Sequence, residues 1–186
     1  MRGSHPDKVS EKPAARQGNV SLCVREGSVG KEVDLHAWLL GQAAALRSKR
    51  YDAVEWEALA EELEAMAAKD RRELISRLRT LLAHLLKWRY QTWGHRSENS
   101  WKRSIIVARQ ELSDLFDESP SLKTEPALSE HLTKAYAQAR SLAGTEMGLD
   151  KRRWEALFSK ACPWPFEQVM DEDYLPNPLN SGRSRA

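Results

Sequence analysis

The chain has little of what reactive sites and covalent staples are built from. Two of its 186 residues are cysteines, Cys23 and Cys162. They stand far apart and outside any CxxC or Cys/His spacing, which excludes a zinc knuckle or a disulfide framework. They read as free thiols of a reducing compartment. No apolar run approaches the roughly 20 residues that cross a bilayer. No apolar segment follows the basic N-terminus, so neither a membrane association nor a secretory signal is expected, and the expected location is cytoplasmic. A P-loop and a Gly-rich phosphate cradle are missing. So are strand-like alternation, hairpin dipeptides between apolar runs and internal repeats. Net charge is only +2, too small for a dedicated nucleic-acid binder.

What remains is helical periodicity. Residues 1–31 mix Gly, Ser, Pro and charges without period and read as a flexible leader. From Asp34, a suitable N-cap, apolar residues recur at Leu35, Trp38, Leu39 and Leu46. A second stripe runs through Trp56, Leu59, Ala60, Leu63, Met66 and Ala67. A third follows with no Gly or Pro between, through Leu74, Ile75, Leu78, Leu81, Leu82, Leu85 and Trp88. One long helix, or two broken near Ala68 to Asp70, both satisfy this pattern. After the loop-like "GHRSENS", Trp101, Ile105, Ala108, Leu112, Leu115 and Phe116 form another stripe that "DESPSL" ends. Pro126 suits the first turn of the next helix, and Gly148 suits its C-terminal stop. A short helix capped by Asp150 is expected over 152–160. The expected class is all-α: a single-domain bundle of about four to six helices over 32–176, with a flexible tail at 177–186.

Charge is segregated. Glu55, Glu57, Glu61, Glu62 and Glu64 form an acidic block, and Lys69, Arg71, Arg72, Arg77 and Arg79 a basic one. Such blocks mark solvated or mutually paired faces. His84 and Lys87 border the third stripe, and they are expected to pair with Glu61, Glu62 and Glu64 across a helix–helix contact. A bundle metal site would need Glu-x-x-His on facing helices. "EELE" and "HLLK" do not supply it, so no metal and no cofactor is expected.

The basic-aromatic stretch "KWRYQTWGHRSENSWKR" suits either a protein hot spot or base stacking with phosphate contact. Helical spacing puts Trp88 and Trp101 in the core. That leaves Tyr90, Trp93, Arg96, Lys102 and Arg103 as the candidate interaction surface.

The segments "LAEELEAMA", "LLAHLLKWRYQ", "SWKRSIIVARQEL", "ESPSL" and "CPWPFEQVMDEDYLP", in this order from about Val33 to Pro176, resemble the bacterial family called domain of unknown function 29. The resemblance implies a helical fold and assigns no activity. It sets Glu61, Glu62, Glu64, His84, Lys87, Trp88, Trp101 and Arg109 on family motifs. With Gln91, which shares a helix rim with His84, they make a candidate polar cluster of Glu61, Glu62, Glu64, His84, Lys87, Gln91 and Arg109. The reading that follows is a non-catalytic module whose partner is another protein. The alternative is a nucleic-acid-associated protein using residues 87–103, with weak binding. An enzyme or metal-site protein built on Glu61, Glu64 and His84 comes third.

Overall fold

The computed structural model describes residues 30–91, 98–124 and 126–179. Most of the expected leader and tail lie outside these, as do Cys23, Trp93 and Arg96. Among the described residues the fold is all-helical, without strands. The helices are α1 (Leu35–Arg47), α2 (Trp56–Tyr90), α3 (Glu98–Glu118), α4 (Ser121–Thr124), α5 (Leu128–Glu146), α6 (Lys151–Leu157) and α7 (Phe166–Met170), with a 3-10 turn at Tyr51–Ala53. The chain divides into two compact units, Met1–Glu55 and Trp56–Ala186.

In the first unit, Asp34 caps α1 by accepting the Ala37 N–H at 3.0 Å. The helix ends in a Schellman turn: the Arg50 N–H donates to the Ala45 carbonyl at 2.9 Å and the Lys49 N–H to that of Leu46 at 3.0 Å. Lys49 takes the left-handed position with φ 57°, where a side chain is strained and glycine is not. Gln42 is buried and pairs at both ends of its amide with Glu55. Its Oε1 accepts the Glu55 N–H at 2.9 Å, while its Nε2 and the Trp38 Nε1 donate to Glu55 Oε1 at 3.1 and 2.8 Å.

The second unit is organised around α2, one uninterrupted helix of 35 residues. Ala68 to Asp70 and their flanks hold neither Gly nor Pro, so nothing there breaks the hydrogen-bond ladder. The second half of α2 is the centre of the core. Leu74, Leu78, Leu81, Leu82, Leu85 and Leu86 are wholly buried, each worth about 1.5–3 kcal/mol relative to exposure. They pack on α3 and α5. Ile105, Leu112, Ala135, Tyr136, Ala139 and Ala143 supply the facing surfaces.

Pairings at both ends of these helices fix an up-down-up order. Arg77 of α2 donates to the Glu111 carbonyl of α3, and His84 of α2 meets Trp101 of α3. Lys87 at the top of α2 meets Glu146 at the top of α5. α5 starts at Leu128 rather than at Pro126, and Ala127 occupies its N-cap. It ends in a Schellman turn as expected, with Gly148 at φ 70°. The Leu149 N–H donates there to Gly144 at 2.9 Å and the Gly148 N–H to Thr145 at 3.0 Å.

Two tight fittings close the unit. Gly144 lets α6 approach α5: a Cβ there would lie 2.5 Å from Trp154 Cγ. The C-terminal segment is tied back onto α2 and α3. The Trp88 Nε1 donates to the Pro176 carbonyl at 2.9 Å, and the Leu179 N–H to that of Arg89 at 2.9 Å.

Candidate functional site

The expected polar cluster does not assemble. Because α2 is continuous, Glu64 and Lys87 are separated by about 34 Å of helix, at 1.5 Å per residue. Glu61, Glu62 and Glu64 therefore cannot reach His84 or Lys87 within the chain. Lys87 pairs instead with Glu146 of α5. Arg109 is engaged elsewhere: its buried guanidinium donates to the carbonyls of Val169 at 2.9 Å, Glu172 at 3.2 Å and Tyr174 at 2.7 Å. Burial pulls its pKa down from the usual value, while Asp171 and Glu172 oppose that. This is a clamp on the C-terminal segment, matched to a planar fork with five donors.

What gathers at the top of the unit is His84, Lys87, Trp101 and Glu146. The Lys87 ammonium is buried, ion-paired to Glu146 and held 4.4 Å from the Trp101 ring centroid. The His84 ring meets Trp101 edge-on at 6.2 Å. Its Nδ1 is buried and makes no hydrogen bond among the described residues. Burial, then the Lys87 charge, lower the His84 pKa, against the pull of Glu146. At neutral pH the imidazole is therefore uncharged. His84 beside the Lys87–Glu146 ion pair and Trp101 makes a packed polar contact between α2, α3 and α5. The Gln91 side-chain oxygen is also buried without a hydrogen bond. Cys162 donates its thiol to the Trp164 carbonyl at 3.3 Å, and burial raises its pKa, so it is not an activated thiolate.

The aromatic-basic surface is thinner than its sequence suggests. Trp88 is buried. Trp101 packs against the core, and so does Tyr90, contrary to expectation, with its ring edge-on to Phe158 at 5.1 Å. Lys102 and Arg103 are exposed, and Lys102 lies over the Trp88 ring at 5.7 Å.

The first half of α2 departs most from expectation. Its apolar stripe was expected to be core, yet no residue of α2 before Leu74 is buried. Trp56, Leu63 and Met66 are 57%, 59% and 58% exposed. The cause is length. α3 and α5 have 21 and 19 residues against the 35 of α2, so they cover only its second half. Where α2 leaves the bundle, a shallow groove of about 360 Å³ opens, lined by Ala67, Asp70, Arg71, Ser119, Leu122 and Pro126. Spacing alone could not separate this stripe from a core stripe.

Among the described residues no group of three His, Cys, Asp or Glu is placed to hold a metal ion, and no helix is long and apolar enough to cross a membrane. No curated protein and no solved structure matches the chain. A family model does: the one described as domain of unknown function DUF29 matches residues 32–175. The helical domain, with the Arg109 clamp and the Lys87–Glu146 contact, falls within that span, and the chain belongs to the DUF29 family.

Proposed function

We infer that the protein is a non-catalytic interaction module that presents the first half of α2 to another protein chain. The observation that carries this is the row of half-buried Leu59 and exposed Leu63 and Met66 on a helix that outruns its bundle. Large apolar side chains contiguous on one face and rimmed by charge mark a protein contact rather than a solvated surface. Two of the polar groups on the family motifs hold the fold: Lys87 pairs with Glu146, and Arg109 with three carbonyls. For nucleic acid the case is weaker. Among the described residues Trp88 and Tyr90 pack inward, which leaves Lys102 and Arg103 to act there by charge.

The test is affinity capture from cells with the wild-type chain and with Leu63→Glu and Met66→Glu. Both sites are exposed, so melting temperatures should match. The reading expects the captured proteins to be lost with both variants and retained with Lys102→Glu and Arg103→Glu. Loss on changing Lys102 and Arg103 alone, with the wild-type capture itself abolished by nuclease, would transfer the function to nucleic acid.

A further inference from the structure

The charge order along α2 identifies an occupant for its exposed stripe. The geometry points to a second copy of this chain, docked antiparallel through the first halves of the two α2 helices. This rests on reading the stripe as a docking surface and names the partner.

The argument starts from register. Leu59, Leu63 and Met66 are spaced four and three apart, the spacing of a two-helix seam. Set two such helices antiparallel, with the two-fold axis between Glu64 and Ala65. Leu63 of each copy then faces Met66 of the other, twice by symmetry. The residues that flank the seam follow without further choice. Glu62 on one helix comes beside Lys69 on the other, and this pair too occurs twice. On the opposite flank, Ala60 meets Ala67 and lets the backbones approach.

At the ends, the acidic run of Glu57, Glu61, Glu62 and Glu64 lies along the basic run of Lys69, Arg71 and Arg72 of the second copy. A parallel pair would set acidic block against acidic block and basic against basic. The sequence is thus self-complementary in one direction only, as an isologous two-fold interface requires.

Exposure and shape agree. Leu63 and Met66 are more than half exposed, so docking removes apolar surface from water without unfolding anything. The groove beside Ala67 and Asp70, with Leu122 and Pro126 in its lining, opens where the Trp56–Ala60 end of the second helix arrives. Leu59 of the second copy meets Asp70 there, the one polar step of the seam. The seam spans only about three turns of helix. It buries less than the roughly 1,200–2,000 Å² of a stable complex, and the dimer is therefore weak and reversible.

Sedimentation velocity of the full chain, from micromolar to millimolar concentration, tests this. A reversible monomer–dimer equilibrium is expected, weakened by salt. Lys69→Glu and Glu62→Lys should each raise the dissociation constant at least about tenfold, since each changes two symmetric contacts. The double variant Glu62→Lys/Lys69→Glu restores opposite charges and should recover most of the affinity. Circular dichroism of each variant confirms that helix content is kept. A chain that stays monomeric throughout, or a double variant no better than the single ones, overturns the proposal. If the chain is monomeric while Leu63→Glu still abolishes capture of another protein, self-pairing is wrong and the docking surface stands. If the stripe variants alter neither, both fall.

Discussion

Removing the carboxylate of Glu146 should destabilise the protein more than removing the charge of its partner, Lys87. The two side chains are unequally exposed, 5% for Lys87 and 42% for Glu146. Deleting one partner of a fully buried pair costs about 3–5 kcal/mol, because the other charge is stranded, whereas a surface pair is worth about 0–1 kcal/mol. Here the stranded group in Glu146→Gln is the buried lysine. Trp101, 4.4 Å away, keeps a cation–π contribution of about 0.5–2 kcal/mol, and water can enter on the Glu146 side. The expected cost is about 1–3 kcal/mol, between the two limits.

Lys87→Met leaves no buried charge and fills much the same volume. The lost pairing is offset by the lost desolvation, and stability should stay within about 1 kcal/mol of wild type. Urea denaturation of the two single variants and the double variant closes the cycle, with an expected coupling of about 1–2 kcal/mol. A Glu146→Gln protein that unfolds with the wild type, or a cost unchanged in the Lys87→Met background, would show that the pair contributes nothing.

Gly144→Ala should cost about 1–3 kcal/mol, since its Cβ collides with Trp154; Trp154→Ala in the same chain should recover part of it in thermal melts. Lys49→Gly relieves a left-handed residue and should raise the stability of the first unit by about 0.5–1 kcal/mol in chemical denaturation. The folded-state pKa of His84 lies below its usual 6.5, so the unfolded state binds the proton more readily. The stability due to neutral His84 is complete above that pH and is lost as pH falls through and below it. Wild type should therefore lose more stability on acidification than His84→Gln, as followed by melting temperature. Arg109→Leu frees the carbonyls of Val169, Glu172 and Tyr174 and should expose the C-terminal segment to limited proteolysis while helix content is kept.

Local signals were legible in the sequence. Asp34, Asp150 and Gly148 cap helices as their chemistry dictates, because a cap is decided by residues three or four apart. The all-α class and the central role of Leu74 to Trp88 follow from period alone. Gly144 carried a signal too: a glycine inside a helix costs about 1 kcal/mol relative to alanine, so its presence asks for a close approach, here that of Trp154.

The site was less legible because its partners are distant in sequence and chosen by register. Lys87 and Glu146 stand 59 positions apart, and Arg109 binds backbone carbonyls, which have no residue signature. Apolar spacing tells which face of a helix wants cover, but the lengths of the neighbouring helices decide where cover is found. α2 has a continuous stripe and neighbours little more than half its length. Its first half keeps the pattern of a buried helix while lacking a buried residue among the described residues. The order of acidic and basic blocks that looked like a pairing code between two helices cannot bring Glu64 to Lys87 within one continuous helix. It can act between two helices lying head to tail, and the exchange of Glu62 and Lys69 separates that role from simple solvation.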